Sequence, residues 1–195
     1  MDKWTRKYLK LARTLAEDNT ACHSRHIGVV LVGVNNRILS MGYNGSVEGV
    51  PHNDDPRYLS HLYRNLLTPQ DRQHFADAGV HDASAFVVKY SNCKVCPRRL
   101  VNAKSGERLE LCGCAHAERN ALASASRNGV STENSTMYCY CSVPCHECTT
   151  QIIQSGVKEV VCLHQVGPDY SPSSRGLFEM SGVKLRIVDI REIDQ

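Results

Sequence analysis

The chain has 195 residues, of which 42% are hydrophobic and 22% charged, and its formal net charge is +3. These proportions are typical of one globular domain, and a chain of this length needs no disulfide scaffold to stay folded. The small net charge, without a run of like charges, argues against a polybasic arm for nucleic acid. No apolar run reaches the ~20 residues of a membrane span and no signal-peptide core is visible, so we expect a cytoplasmic protein.

Residue patterns predict an α/β fold. Apolar residues at helical spacing predict a helix over 3–17, and two β-branched runs, 27–34 and 37–43, predict a hairpin that turns at Asn35 and Asn36. The later elements are predicted to be helices over 116–127, 145–155 and 174–180, which alternate with strands over 136–141, 158–163 and 184–190. Strands that alternate with helices indicate a largely parallel sheet covered by helices.

The middle of the chain departs from this alternation. Asp54, Asp55 and Pro56 interrupt regular structure, and polar helical segments and two close pairs of cysteines follow. We therefore expect a single domain over residues 1–195, with an insertion at about 56–111.

Ten cysteines are the extreme feature of the composition, and without a secretory signal they favour metal binding or catalysis over disulfides. The strongest local signal is His116 with Glu118 two residues later, followed by Pro144, Cys145 and Cys148. One imidazole and two thiolates make three ligands of a tetrahedral zinc and leave a fourth position for water, which favours a catalytic site. Both halves lie where a loop is predicted to become a helix, and helix N-termini favour thiolates.

Glu118 lies on the same helical turn as His116 and is the predicted general acid/base. The alternative for the cysteines is a structural zinc knuckle or a redox pair. Neither alternative needs a histidine and a glutamate upstream, so the complete pattern favours catalysis.

The motifs H-A-E-R-N-A-L at 116–122 and P-C-x-x-C at 144–148 resemble the cytidine deaminase superfamily, and within it the deoxycytidylate (dCMP) deaminases. Further matching segments are G-Y-N-G at 42–45 and S-G-V-K-E-V at 155–160. The resemblance covers 1–55 and 112–190 but not the insertion. It implies a three-layer α/β/α sandwich on a five-stranded mixed sheet. The implied reaction is zinc-dependent hydrolysis of dCMP to dUMP and ammonia, in pyrimidine deoxyribonucleotide metabolism.

The same resemblance implies substrate contacts. Asn44 is similar to an asparagine that binds the deoxyribose hydroxyl, although an Asn-Gly turn explains it too. Tyr170 is similar to an aromatic residue that closes over the pyrimidine, although a packed loop tyrosine is an alternative. Arg25 is a candidate for the phosphate, although a surface arginine at such a junction needs no ligand.

Regulation is also implied by the resemblance. In the family, the region of Gly42, Asn44 and Gly45 lies near a site for dCTP activation and dTTP inhibition, with Mg²⁺ accompanying dCTP, in an assembly that is usually a homohexamer. The resemblance therefore predicts an allosteric homo-oligomer.

The remaining cysteines predict a second, structural zinc. Cys93, Cys96, Cys112 and Cys114 form two close pairs, and four thiolates suit a structural zinc site. The resemblance offers Cys22 and His52 as alternates, because some family members hold a second zinc at matching positions. Unpaired reduced thiols are the remaining alternative.

Two other functions stay open. The enzyme could act on dCTP, a modified deoxycytidine nucleotide or a base in single-stranded nucleic acid, for which the basic loop from Arg98 to Arg108 is the only support. The chain could instead be a non-catalytic zinc-folded nucleotide-binding module. Loss of Glu118 or of a zinc ligand would favour that module, and none of them is missing.

Overall fold

The computed structural model describes residues 1–19, 22–104, 106–164 and 171–194. Its helices and strands, in chain order, are α1 (Lys3–Asn19), β1 (Gly28–Val32), β2 (Ile38–Tyr43), β3 (Gly45–Ser46), α2 (Pro56–His61), α3 (Pro69–Asp77), α4 (Ala83–Tyr90), α5 (Pro97–Leu100), β4 (Cys114–Ala115), α6 (Ala117–Arg127), β5 (Thr136–Tyr140), α7 (His146–Gln154), β6 (Glu159–Leu163), α8 (Pro172–Ser181) and β7 (Lys184–Val188). The chain divides into two compact units. Within the described residues, the second unit comprises 22–25 and 45–115, and the first comprises the rest.

The first unit is built on a five-stranded sheet in the order β2-β1-β5-β6-β7. β1 runs antiparallel to both β2 and β5, whereas β5, β6 and β7 are parallel. The hairpin turns at Asn35 and Asn36, whose φ angles of 64° and 58° lie in the left-handed region that asparagine tolerates. The predicted α/β fold with a mixed five-stranded sheet is confirmed.

Both faces of this sheet are covered. Val29 and Leu31 pack into an apolar cluster with α6, α7 and α8, whereas Val30 and Val32 pack with α1 on the opposite face. This alternation follows from the two-residue period of a strand. The first unit is therefore the three-layer α/β/α sandwich that the resemblance implies.

The contact between α6 and β2 fixes the start of the helix that carries the predicted acid/base. A Cβ atom on Gly42 would lie 2.3 Å from the carbonyl oxygen of Ala117, so the helix backbone rests directly on the strand. The Ser40 hydroxyl adds a hydrogen bond of 2.8 Å to the carbonyl oxygen of Ala121. The first two turns of α6 are thus held against β2.

The second unit has a core of its own, and three of its helices begin at residues whose side chains cap them. Asp55 caps α2, Asp82 caps α4, and Thr68 forms a capping box with Asp71 at α3. Buried side chains from these helices form one cluster with Leu111. The predicted insertion is therefore a helical unit with an apolar core.

A two-stranded ladder also lies within the second unit. β3 and β4 pair antiparallel, with Gly45 opposite Ala115. Among the helices of the described residues, none combines the length and apolar character that crossing a membrane requires.

Candidate active site

Two helix starts in the first unit carry the predicted zinc ligands. His116 is the N-cap residue of α6 and Cys145 is the N-cap residue of α7, both with extended backbone. Cys148 follows in the first turn of α7 and is buried. The loop-to-helix transitions expected from the sequence are where the structure places all three residues.

The three side chains converge. Their ligand atoms lie within 4.8 Å of one another, and His116 Nδ1 is 3.4 Å from the Sγ atoms of both Cys145 and Cys148. With zinc bonds of about 2.3 Å to sulfur and about 2.0 Å to nitrogen, a tetrahedral centre separates nitrogen from sulfur by about 3.5 Å. The spacing and chemistry of this donor set therefore fit zinc, with Nδ1 as the ligand atom of His116.

A hydrogen bond between the two cysteine thiols lowers the pKa of one and raises the pKa of the other. The bond with Cys148 lowers the pKa of Cys145 to about 3, His116 adds to the effect, and burial opposes it. The same bond raises the pKa of Cys148. The contact with Cys145 also raises the pKa of His116 against the opposing effect of burial. Zinc needs both thiolates and a neutral imidazole, so metal binding releases protons from this site.

Glu118 lies in the first turn of α6 beside these ligands. Its side chain is only 3% exposed, and its carboxyl group interacts with the Cys148 thiol. Its Oε2 atom has no hydrogen-bond partner within the described residues. Burial raises the pKa of this carboxyl group. A buried carboxyl oxygen without a partner is costly, and it fits a site whose partner arrives with the ligand.

Two neighbours of Glu118 join the surrounding elements, and the sequence reasoning assigned them no role. Arg119 lies 3.6 Å from the Glu147 carboxylate and so links the first turns of α6 and α7. Asn120 donates a hydrogen bond of 2.8 Å from Nδ2 to the carbonyl oxygen of Tyr43. In the sequence, the feature that points to a role for these two residues is their position directly after H-A-E.

The predicted substrate and effector residues have different surroundings. Asn44 is buried, and its Oδ1 accepts a hydrogen bond of 2.8 Å from the Ile27 amide, which ties the end of β2 to the start of β1. Gly42 lies under α6, whereas Gly45 belongs to the second unit and pairs with Ala115. Arg25 is exposed and also belongs to the second unit. Tyr170 lies outside the described residues.

The cysteines predicted to hold a second metal are not all together. Cys93 is exposed, and its Sγ donates to the carbonyl oxygen of Lys89 at 3.1 Å. Cys96, Cys112 and Cys114 lie in one chain of contacts, to which Cys22, an alternate, also belongs. His52, the other alternate, is exposed.

The architecture of the first unit and its donor set are those of the zinc-dependent deaminases. A family model described as "Cytidine and deoxycytidylate deaminase zinc-binding region" matches residues 2–164. The chain belongs to the cytidine and deoxycytidylate deaminase family. The predicted resemblance is thereby confirmed.

Individual relatives agree with this assignment. A deoxycytidylate deaminase of Schizosaccharomyces pombe is 30% identical over 185 residues, which cover 94% of this chain and 43% of that protein. The deoxycytidylate deaminase of Enterobacteria phage T2 is 29% identical over 157 residues, which cover 78% of this chain and 76% of that protein. The chain thus spans less than half the length of the first relatives, 43% and 36% for the two yeast proteins.

A solved structure shows the same fold. The crystal structure of a dCMP deaminase from the cyanophage S-TIM5, in complex with dCMP and dUMP, matches with a TM-score of 0.57 at 18% identity. The match covers 96% of this chain and 99% of that one.

Proposed function

We propose that the protein catalyses the hydrolytic, zinc-dependent deamination of dCMP to dUMP and ammonia, a step of pyrimidine deoxyribonucleotide metabolism. The observation that carries the proposal is the cluster of His116, Cys145 and Cys148 beside the unpartnered Oε2 of Glu118. The choice of dCMP is supported by relatives of two lineages that are named deoxycytidylate deaminases.

In the proposed reaction, three residues bind the metal and a fourth transfers protons. When bound, zinc supplies a Lewis acid that lowers the pKa of a water molecule. Glu118 accepts the proton of the attacking water and delivers it to N3 of the pyrimidine while the oxygen adds at C4. Glu118 then carries the proton of the new C4 hydroxyl group to the exocyclic amine, the bond between C4 and that nitrogen breaks, C4 becomes a carbonyl, and ammonia leaves. His116, Cys145 and Cys148 hold the metal on two rigid helix starts.

The Glu118→Gln variant tests the acid/base assignment. The amide keeps the shape of the side chain but cannot shuttle protons, so we expect dCMP turnover to fall by at least ~100-fold, the lower range for general acid–base catalysis. The zinc content should stay that of the wild type. Loss of cytosine absorbance and release of ammonia measure the turnover.

Glu179→Gln is the matched control, because Glu179 is an exposed glutamate on α8. We expect wild-type turnover from it. Wild-type turnover by Glu118→Gln with full zinc occupancy would contradict the assignment, and a folded, zinc-loaded wild type that turns over no cytosine nucleotide would favour the non-catalytic module.

A substrate panel separates the proposed substrate from its alternatives. dCMP, dCTP, deoxycytidine and a cytosine-containing single strand are compared at equal concentration, and we expect dCMP to react fastest. The structure gives the single strand little support. Arg98 donates to the carbonyl oxygens of Lys104 and Glu107, and Arg108 pairs with Asp71 and Glu110. These arginines therefore serve the second unit itself.

The regulatory predictions belong to the same proposal. We propose activation by dCTP with Mg²⁺, inhibition by dTTP, a homohexamer and a cytoplasmic location, all on the family resemblance. Turnover at low dCMP with and without each nucleotide tests the effectors. Light scattering behind size-exclusion chromatography tests the assembly.

A further inference from the structure

One side chain on α6 is bonded to the last residue of β2. Asn120 donates from Nδ2 to the carbonyl oxygen of Tyr43 at 2.8 Å. The backbone amide of the same residue donates to the carbonyl oxygen of His116 at 3.0 Å, which closes the first turn of the helix. Asn120 therefore connects the turn that carries Glu118 with the end of the strand at one edge of the sheet.

The spacing of residues along α6 explains why this side chain meets β2. Asn120 and Ala121 lie three and four positions after Ala117, so the three residues share one face of the helix. Ala117 and Ala121 are the residues whose backbone approaches Gly42 of β2. Glu118 follows Ala117 by about 100° around the helix and is buried beside the zinc ligands. One face of α6 therefore contacts the strand, and the neighbouring face carries the acid/base.

The residue after Tyr43 is held by a different segment. The Asn44 amide donates to the carbonyl oxygen of Ile27 at 3.2 Å, and Asn44 Oδ1 accepts from the Ile27 amide at 2.8 Å. Asn44 is 4% exposed. The end of β2 is thus fixed by two contacts, one to the segment that enters β1 and one to Asn120 on α6.

We propose that Asn120 is a positioning residue for the deamination. Asn44, which the family resemblance assigns to the deoxyribose hydroxyl, directly follows the residue that Asn120 holds. Glu118 must reach the pyrimidine of the same nucleotide to transfer protons. Asn120 fixes the distance between these two contacts, one to the sugar and one to the base. The proposal rests on the proposed function and on the predicted sugar contact of Asn44.

This hydrogen bond should affect catalysis more than folding. Asn120 is exposed enough for water to replace its bond to Tyr43, so the bond contributes little to the stability of the fold. The reaction is more sensitive, because reacting atoms must lie about 3–3.5 Å apart and a displacement of about 1 Å can cost about 100-fold in rate. A small movement of the end of β2 against α6 is therefore sufficient to slow the reaction.

The Asn120→Ala variant removes the donor, and alanine favours the helix, so we expect the variant to fold. With dCMP, kcat/KM should fall by about 10- to 100-fold while the zinc content stays that of the wild type. Asn128→Ala is the matched control, because Asn128 directly follows α6 and also donates from Nδ2 to a backbone carbonyl oxygen, that of Ser124, at 2.8 Å. Its kcat/KM should be that of the wild type. Loss of zinc in Asn120→Ala would overturn the proposal.

A second substrate shows whether Asn120 acts through the sugar contact. 2′,3′-Dideoxycytidine monophosphate lacks the hydroxyl that Asn44 is predicted to bind, so the wild type should have a higher kcat/KM for dCMP. The ratio of the two kcat/KM values should be smaller in Asn120→Ala, because the sugar contact is displaced in that variant. An equal loss of kcat/KM for both nucleotides would overturn the proposal, and so would an unchanged kcat/KM for dCMP.

Hydrogen exchange tests the structural step without turnover. In zinc-loaded Asn120→Ala, exchange should become faster in the peptides that contain the amides of Ile27 and Asn44, whereas Asn128→Ala should match the wild type. Unchanged exchange at both amides would overturn the proposal. A wild type that turns over no dCMP would contradict the proposed function and with it the role in catalysis. The exchange result would then still decide whether Asn120 holds the end of β2.

Discussion

At the scale of single residues, Gly42 has a structural role that its sequence motif does not reveal. The resemblance places it near an effector site, whereas in the structure its missing side chain lets α6 rest on β2. A Cβ atom on this glycine would lie 2.3 Å from the carbonyl oxygen of Ala117 and 2.5 Å from the amide nitrogen of Ala121. Both neighbours are backbone atoms and cannot rotate away. A packing function is therefore sufficient to explain the glycine.

We predict that Gly42→Ala lowers the free energy of unfolding by about 1–3 kcal/mol, the usual cost of overpacking. Urea denaturation of the zinc-loaded protein measures this change. Gly176→Ala on α8 is the matched control, because among the described residues no heavy atom outside its chain neighbours and the backbone of α8 lies within 4 Å of its added methyl group. It should gain up to about 1 kcal/mol from helix propensity. An unchanged stability of Gly42→Ala together with an altered response to dCTP would instead favour the effector role.

At the scale of elements, α1 depends on one residue in front of it. Asp2 accepts hydrogen bonds at 3.0 Å from the amides of Trp4 and Thr5, and the Thr5 hydroxyl donates to it at 2.6 Å. These bonds, led by the Thr5 hydroxyl, lower the pKa of Asp2 to about 2. The carboxylate also lies at the positive end of the helix dipole.

We predict that Asp2→Ala lowers the free energy of unfolding by about 1 kcal/mol near neutral pH, the usual cost of a lost N-cap. The folded pKa is below the unfolded value of about 3.9, so the stabilisation is complete above that value. It disappears as the pH falls from about 4 towards 2. Thermal unfolding of the variant and the wild type over this range measures the difference.

Asp18→Ala provides the control at the other end of α1. Asp18 lies in the last turn, where a negative charge opposes the helix dipole, so its removal should leave stability unchanged or slightly higher. Equal losses in both variants would mean that the capping bonds of Asp2 contribute nothing specific.

The elements also show where sequence reasoning succeeds and where it stops. The strands and helices of the sheet unit are predictable within a few residues, because a strand period and a helical period are local properties. The helices of the second unit are not predictable one by one. Asp55 is predicted to interrupt regular structure, yet its side chain caps α2, as those of Thr68 and Asp82 cap α3 and α4. Such residues occur both in turns and at helix starts, and only the hydrogen bonds to the first turn show which role is taken.

The same limit applies to the sites. His116, Cys145 and Cys148 belong to a motif with fixed spacing, so their convergence could be expected. The contacts among Cys22, Cys96, Cys112 and Cys114 follow no such spacing. Cys93 is close to Cys96 in the chain, but Cys22 is the residue that approaches Cys114, and this pairing depends on the fold of the second unit.

At the scale of the whole molecule, a metal at His116, Cys145 and Cys148 should stabilise the starts of two helices. We predict that a chelator that removes zinc increases hydrogen exchange at the starts of α6 and α7. The amides of β5 and β6 should stay protected, because both strands lie inside the sheet and its apolar clusters. Hydrogen exchange read by mass spectrometry of peptides measures the change.

Cys145→Ser tests whether the metal causes this protection. In this variant, exchange should increase at the starts of α6 and α7 as it does in the chelated wild type, whereas the control Cys93→Ser, whose exposed thiol lies in the second unit, should keep the protection of the wild type. Wild-type exchange at α6 and α7 in Cys145→Ser would contradict a stabilising role of the metal.

The pairing of β3 with β4 bears on how far related proteins can differ in the segment between these strands. Gly45 and Ala115 sit opposite each other, so the segment between them departs and returns at one point of the backbone. The segment can therefore become longer or shorter without moving the two paired residues at its ends. The entropic cost of loop closure also rises only slowly with length. The three predicted ligands of the catalytic zinc and the predicted acid/base Glu118 lie after this point, on one uninterrupted stretch from His116 to Cys148. We therefore expect the length of the segment between Gly45 and Ala115 to vary more among relatives than that of the stretch from His116 to Cys148.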